Sequence, residues 1–340
     1  MFMNVCELSR EGEFKVTGDP RVLYTIMMMI RTKIVYQGNQ ALGIAALIAT
    51  RYSAIRRQFK TIDGSKMERT LLDYQTQQHK LAPMIATIYV QQTVGHYCNE
   101  GFGLLQDAVK KGDFGRLDVM HHLLAGYKSI FSDRVLNLVE VARRSAGGAG
   151  YSAWSGLPNI YFNSSPVPTY EGDNTVMMLQ SSRYLKKMVD RASKGKTIPE
   201  PFGYLNKIPA LVKLVARINT IDDLLNLELL EEAMQVRAAL YIVDVFNKMK
   251  ESNAPEKTKE NEIIAQQKLP MMFAHFDSVT VNVFRQRIEE DIKKGAIRSA
   301  NNKAVYDCLV KIYILENLSK DNGILMSSGY ISGQAFTLII

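Results

Sequence analysis

Long runs of helix-like apolar spacing constrain the fold of this chain more than any other feature. The clearest run extends from Leu117 to Ala146 and stops at Gly147 and Gly148. Glycine is the usual residue just beyond the C-terminus of a helix, so the sequence predicts a long helix with a well-marked end. Two more long helices are predicted ahead of it, at 21–59 and 66–100.

Helix breakers and caps predict how these runs are connected. Pro83 should kink or break the second helix, and Gly101 and Gly103 should soften its connection to a third helical piece ending near Lys111. Asp173 or Asn174 can cap a fifth helix.

Helical patterns continue at 220–247, 262–294 and 302–318, and strand-like alternation is hard to find. The sequence therefore predicts an all-α fold. Short turns between long helices indicate an antiparallel helical bundle, followed by a second, smaller helical domain.

A length of 340 residues suggests two or three domains rather than one core. We expect an extended lead-in at 1–20 and a helical-bundle domain at 21–195. The composition then changes to Lys, Pro and Gly at 193–203, so a C-terminal helical domain is predicted at 196–340. Within it, 248–261 is polar and expected to be mobile.

Composition excludes several classes of protein. The longest apolar run, 41–49, is too short to span a bilayer, and the first residues lack the pattern of a signal peptide. Three widely separated cysteines argue against a disulfide framework or a zinc site and fit a reducing compartment. The net charge is +8, but the basic residues are scattered among acidic ones. This pattern favours a solvated charged surface over a site for phosphate-bearing ligands, and nucleic-acid binding is the least favoured of the three.

Asp118, His121 and His122 resemble a metal site only at first sight. Adjacent histidines on a helix point about 100° apart, and no HExxH pattern exists, so no metal site is predicted. The other histidines are expected to be isolated and structural: His79, His96 and His275.

The glycine-rich segment GGAGY (147–151) follows a helix instead of a strand, which rules out a dinucleotide-binding fingerprint. Two interpretations stay open. The glycines are a tight helix stop, or they leave bare backbone where a ligand or a neighbouring chain approaches closely.

The segment RRQF (56–59), at the end of the first predicted helix, is either a solvated helix end or a site where arginine grips a pyrophosphate with two hydrogen bonds. Gln75, Gln77 and Gln78 follow in the next helical pattern. On their own they are expected to be surface polar residues.

Glu171 is the carboxylate of greatest interest, because the prolines before it and Gly172 after it indicate an ordered loop. It could stabilise the start of the following helix. It could instead be a general base whose pKa is raised by an apolar ligand. The residues alone favour neither role.

Three segments nevertheless resemble one family. The sequence GGAGYSAWSGLPNIYFNSSPVPTYEGDNTVMMLQSSRYL (147–185) resembles the corresponding stretch of peroxisomal acyl-CoA oxidases. RYSAIRRQF (51–59) and LLDYQTQQHKLAPMIATIY (71–89) resemble the same family, in the same order and at compatible spacing. The region after Phe202 resembles the family's C-terminal helical domain more weakly.

The resemblance implies an FAD-dependent oxidoreductase of peroxisomal fatty acid β-oxidation. It converts a fatty acyl-CoA and dioxygen to a trans-2-enoyl-CoA and hydrogen peroxide. The family's catalytic base, the glutamate of its YEG motif, falls on Glu171 and would remove the α-proton. Family positions that contact FAD fall on Arg56, Gln58, Phe59, Gln75, Gly147, Gly148, Asp173, Asn174 and Thr175. In the wider superfamily some of these contacts reach the flavin of the neighbouring subunit, so a homodimer is implied.

Two departures from the family pattern affect these expectations. The family usually reads GGHGY, whereas this chain has Ala149. The family's N-terminal helical and β-barrel domains have no counterpart here, and no SKL-like signal ends the chain. We therefore expect a portion truncated at both ends that binds no FAD and is inactive alone, with a longer chain or a partner supplying the missing domains.

Two functions from different classes follow. The first is the helical half of an acyl-CoA oxidase, located by family resemblance in the peroxisome, with the mitochondrion as the alternative. The second is a non-catalytic structural or assembly subunit derived from such an enzyme.

Overall fold

The computed structural model describes residues 6–17, 19–60 and 67–339, and most of them lie in α-helices. The helices are α1 (Pro20–Gln37), α2 (Asn39–Ile55), α3 (Gln75–Lys110), α4 (Leu117–Ser145), α5 (Gly148–Tyr151), α6 (Leu157–Ser164), α7 (Asn174–Ser193), α8 (Ile208–Leu211), α9 (Ile221–Leu225), α10 (Leu227–Glu251), α11 (Glu256–Thr258), α12 (Ala265–Lys293), α13 (Ala300–Lys320), α14 (Gly323–Ser327) and α15 (Gly333–Ile339). The all-α prediction is confirmed. Within the described ranges no helix is both long and apolar enough to cross a membrane.

Two pairs of short antiparallel strands complete the secondary structure. The pairs are β1 (Cys6–Leu8) with β2 (Phe14–Val16), where Glu7 lies opposite Lys15, and β3 (Arg57–Lys60) with β4 (Glu68–Thr70), where Arg57 lies opposite Thr70. The first pair belongs to the predicted extended lead-in. The second is absent from the sequence-based prediction.

Helix α4 lies at the centre of the bundle and packs against α1, α2, α3, α6, α7 and α12. A smaller core joins α2, α3, α4 and α6 through Leu42, Met84, Val139 and Leu157. A larger core includes buried side chains of α3, α4, α10, α12 and α13. The division of the chain at residue 195 and the mobility of 248–261 stay predictions.

The predicted helix over 21–59 is wrong in its extent. The chain forms two helices, α1 and α2, which meet at Gly38, and glycine is a poor helix former. After Ile55 the backbone becomes extended at Arg56, with ψ of 128°. Residues 57–60 then pair with β4, so a partner strand from later in the chain overrides the local helical pattern.

Helix α3 is longer than predicted, because it continues through Pro83, Gly101 and Gly103 to Lys110. Its contacts with α1, α2, α4, α12 and α13 stabilise the helix along its length. Proline removes one helical hydrogen bond. Packing on several sides evidently outweighs that loss, so the predicted break at Pro83 and the separate third helix are wrong.

Helix ends that depend on local capping agree better with the sequence. Helix α4 ends at Ser145, as predicted from the following glycines. The predicted helix over 220–247 is divided at Asn226, whose Oδ1 accepts hydrogen bonds from the backbone N–H of Glu228 (3.0 Å) and Leu229 (3.3 Å). This side chain therefore begins α10 as a separate helix.

His275 is not isolated, contrary to the prediction. Its Nε2 lies 3.0 Å from Nε2 of His122, and both rings are fully buried between α4 and α12. Ser181 Oγ and Tyr204 Oη satisfy the two outer ring nitrogens. Burial lowers the pKa of His122 to about 3, so this pair is neutral and structural. No group of three or more His, Cys, Asp or Glu within 6–17, 19–60 and 67–339 could hold a metal.

The close packing of α4 on α12 gives a testable stability prediction. A Cβ at Gly126 would lie 1.9 Å from the ring of Phe276, which is fully buried and stacked against His122. We expect Gly126→Ala to lower the free energy of unfolding by about 1–3 kcal/mol, because the ring has no space to move. Urea denaturation measures this change.

Gly103→Ala is the matched control in α3, because nothing lies within 4 Å of its Cβ position. This variant should raise the free energy of unfolding by about 0.5–1 kcal/mol through better helix propensity. Equal stability of the two variants would contradict the prediction.

Candidate active site

Glu171 lies in the loop between α6 and α7, one turn before the helix begins. Its backbone has φ of +56°, the left-handed region that non-glycine residues rarely adopt, and Gly172 follows with φ of +108°. Asp173 caps α7, since its Oδ1 accepts from the backbone N–H of Thr175 (2.9 Å) and Val176 (3.2 Å). The N-cap of α7, predicted at Asp173 or Asn174, is thus Asp173. Its carboxylate, and not that of Glu171, accepts hydrogen bonds from the first turn of the helix.

The carboxylate of Glu171 is half-buried and chemically free. In the part of the chain that the structure describes, no side chain forms a hydrogen bond or ion pair with it. A cavity of about 550 Å³ begins beside it at Tyr170. The cavity is lined mainly by apolar side chains, including Ile34, Phe131 and Val135. Glu171 itself is not among the lining residues, but it directly follows Tyr170, so a small change of side-chain conformation or a bound substrate would be needed to bring its carboxylate to the cavity.

Asn174 fastens the start of α7 to α4. Its Nδ2 donates to Ser129 O (3.0 Å) and Asp133 Oδ1 (2.8 Å), and its Oδ1 accepts from Lys128 Nζ (2.8 Å). This side chain is buried and its hydrogen-bonding groups are in use. Thr175, the next residue, is exposed.

The residues matched to a pyrophosphate site lie together at another end of the bundle. Arg56 is exposed, and its Nη2 donates to Gln58 Oε1 at 3.1 Å. Phe59 is 68% exposed with φ of +64°. Gln75, exposed at the start of α3, is brought near by Tyr74, whose hydroxyl donates to Gln58 O at 2.9 Å.

Gln77, which the sequence-based interpretation placed on the surface, is buried. Its Nε2 donates to Ser53 Oγ (2.9 Å) on α2 and to Ser145 O (2.9 Å) at the end of α4. The side-chain amide of Gln77 therefore joins the start of α3 to the ends of α2 and α4. No local pattern indicates this, because the two partners lie 24 and 68 residues away in sequence.

Gly147 follows this junction with φ of +58° and ψ of −137°, a conformation that requires glycine. Gly148 then opens the short helix α5. Both are exposed, and nothing lies within 4 Å of a Cβ built at either position. The helix stop is confirmed, and the backbone beside it is open to solvent.

The predicted site residues thus fall in two groups, one around Glu171 and one around Arg56. The first is joined to α4 by the hydrogen bonds of Asn174, and the second includes Gly147, which follows the end of α4. Residues 24–186, which include both groups, match the family model described as "Acyl-CoA oxidase, C-alpha1 domain". Residues 226–340 match the family model described as "Acyl-CoA oxidase". The chain belongs to the acyl-CoA oxidase family.

Known members of the acyl-CoA oxidase family align with nearly the whole of this chain. Peroxisomal acyl-coenzyme A oxidase 1 of Mus musculus is 33% identical over 338 residues, covering 98% of this chain and 50% of that protein. The solved structure of acyl-CoA oxidase 1 from Arabidopsis thaliana has 30% identity and a TM-score of 0.87, covering 99% of this chain and 50% of the other. Acyl-CoA oxidase-1 of Caenorhabditis elegans, solved in complex with FAD and ATP, has 25% identity and a TM-score of 0.81, covering 99% and 48%. The chain spans about half the length of these relatives.

This member of the acyl-CoA oxidase family exposes large apolar side chains near Arg56 and Gly147. They are Ile55, Phe59, Tyr151, Trp154 and Phe162, and Trp154 is 100% exposed. They belong to α2, β3, α5, α6 and the turn at 153–155; α2, α5 and α6 pack against α4, the turn contacts α5 and α6, and β3 pairs with β4.

Proposed function

We propose that this chain supplies the base and part of the cofactor site of an FAD-dependent acyl-CoA oxidase. The reaction converts a fatty acyl-CoA and dioxygen to a trans-2-enoyl-CoA and hydrogen peroxide. The observation that carries the proposal is the carboxylate of Glu171, which forms no hydrogen bond or ion pair among the described residues and belongs to a loop whose preceding residue, Tyr170, lines an apolar cavity. The peroxisomal names of the relatives support a peroxisomal location.

Glu171 is the proposed base for the α-proton of the acyl-CoA. The thioester carbonyl acidifies that proton, and a carboxylate that no hydrogen bond or ion pair engages among the described residues is free to accept it. The apolar lining next to Tyr170 would keep water away from the reacting carbons and strengthen the electrostatic interactions there. The β-hydrogen would leave as a hydride, for which the FAD of the proposed enzyme would be the two-electron acceptor.

The second group of residues fits part of an FAD site. Arg56 has an exposed guanidinium whose one hydrogen-bond partner among the described residues is Gln58, so it can hold a pyrophosphate. The exposed backbone at Gly147 and Gly148 allows close approach of a ligand. Bound FAD would supply the hydride acceptor and the route of two electrons to dioxygen.

A homodimer would cover the exposed apolar side chains around Trp154. Phe59 is one of these side chains, and Tyr151 and Trp154 closely follow Gly147 in sequence, so a partner subunit that covers them would also cover part of the proposed cofactor site. The three residues matched to FAD contacts after Glu171 have different roles. Asp173 and Asn174 organise the start of α7, whereas Thr175 is exposed and is the one with a hydroxyl to offer the cofactor.

Flavin absorbance and acyl-CoA-dependent hydrogen peroxide formation test the proposal. We expect the purified 340-residue chain to lack bound flavin, because its cofactor residues lie on an open surface. The same chain together with the coding sequence upstream of it should bind FAD and oxidise fatty acyl-CoA. Failure of the longer form to do either would favour the alternative, a structural subunit that keeps the bundle and its apolar surface.

A further inference from the structure

Two buried cationic side chains form hydrogen bonds to backbone carbonyls of the loop that contains Glu171. Arg31 on α1 is 5% exposed, and Lys128 on α4 is fully buried. Arg31 Nε donates to the backbone carbonyl of Glu171 at 3.1 Å. Lys128 Nζ donates to Gly172 O at 2.6 Å and to Pro168 O at 3.1 Å.

These contacts fasten two consecutive carbonyls, those of Glu171 and Gly172, to two different helices. The backbone is thus held ahead of Glu171, at Pro168 O, and directly after it, at the carbonyls of Glu171 and Gly172, and between these points lies the strained φ of +56°. Strained backbone at a non-glycine residue persists only where the surroundings impose it. Here the surroundings are charged donors, which form stronger hydrogen bonds to carbonyls than neutral donors do.

We propose that Arg31 and Lys128 are positioning residues, which hold Glu171 in its left-handed conformation and so place its carboxylate for proton abstraction. This inference rests on the proposed function, in which Glu171 is the base. Neither cation contacts the carboxylate of Glu171 by a hydrogen bond, so both act through the backbone.

The ammonium form of Lys128 matches its three acceptors one for one. It donates to Gly172 O, Pro168 O and Asn174 Oδ1, and a neutral amine has only two N–H groups. Deprotonation therefore leaves one of these oxygens without its donor.

Burial lowers the pKa of Lys128 to about 8. The charged groups facing it are Asp133, Asp173 and Glu171, which favour the ammonium form, and Arg31, which disfavours it. All three hydrogen bonds of Lys128 should therefore form well below this pH. As the pH rises through about 8, one of them is lost and the loop should become more mobile.

Lys128→Met tests the inference in the FAD-loaded oxidase, since it keeps the length of the side chain and removes all three donors. We expect kcat to fall by about 10²-fold through misplacement of the base, with KM for acyl-CoA changed by less than about threefold and flavin absorbance unchanged. The decline of kcat near pH 8 should be present in the wild type and absent in this variant. Lys187→Met on α7, which breaks an exposed ion pair with Asp118, is the matched control and should leave kcat unchanged.

Hydrogen exchange of the 169–174 amides, three of which donate to backbone carbonyls of this loop, provides a second measurement on the unmodified 340-residue chain. After correction for the intrinsic pH dependence of exchange, protection should fall as the pH rises through about 8. Constant protection, or wild-type kcat in Lys128→Met, would overturn the positioning role. Absence of acyl-CoA oxidation by the wild-type enzyme would instead overturn the proposed function, so the two failures are distinguishable.

Discussion

Glu171→Gln in the longer, FAD-loaded form is expected to lower kcat for acyl-CoA oxidation by about 10³- to 10⁴-fold, near the upper end of what general bases contribute. The amide has the size of the carboxylate but cannot accept the α-proton. The backbone contacts of this position run through its carbonyl to Arg31, so they are retained in the variant. Rapid-mixing measurements of flavin reduction by acyl-CoA determine the effect directly.

Flavin content is the internal control for this variant, because Glu171 lies in a different group of residues from Arg56. FAD should therefore stay bound. Glu11→Gln, which changes an exposed carboxylate in the turn between β1 and β2, should leave flavin reduction at the wild-type rate. Turnover retained in Glu171→Gln would remove this residue from the role of base, and loss of flavin would assign it a structural role instead.

Local signals predicted the ends of helices better than their continuity. The glycines after α4 and the carboxylate of Asp173 before α7 act within a few residues, so the sequence contains the complete cause of each boundary. The continuation of α3 through Pro83 depends instead on neighbouring helices, and the strand at 57–60 depends on β4. Such long-range causes have no signature in the local pattern.

The candidate site shows the same limit. Glu171 could be singled out from its loop, but its role as a base came from family resemblance, because the residues alone left two roles equally open. Arg31 and Lys128 were missed and Gln77 was wrongly assigned to the surface, since their partners lie 24 to 140 residues away in sequence. The one available signal was a lysine within an apolar helical segment, LAGYKSIF (124–131), which a solvated surface would not explain.

Asp277→Asn is expected to lower the free energy of unfolding by about 3–5 kcal/mol. Asp277 on α12 is 3% exposed and accepts from Arg237 Nη2 on α10 at 2.7 Å and from Arg134 Nη2 on α4 at 2.5 Å. Arg134 also donates to Asn317 Oδ1 on α13 at 2.7 Å, so four helices meet at this cluster. The amide would remove the counter-charge of the largely buried Arg134 and leave the buried Arg237 with only a longer ion pair to Asp321 (3.8 Å). Urea denaturation of the 340-residue chain measures the change.

Asp244→Asn is the matched control, because it breaks an exposed i,i+4 pair with Lys248 and should change the free energy of unfolding by less than about 0.5 kcal/mol. If the loss in Asp277→Asn comes from uncompensated charge, removing one cation as well should restore part of it. We therefore expect Arg237→Met to be less destabilising in the Asp277→Asn background than in the wild type. Additive losses in the double variant would mean that packing, and not charge, joins α4 and α10 to α12 at this point.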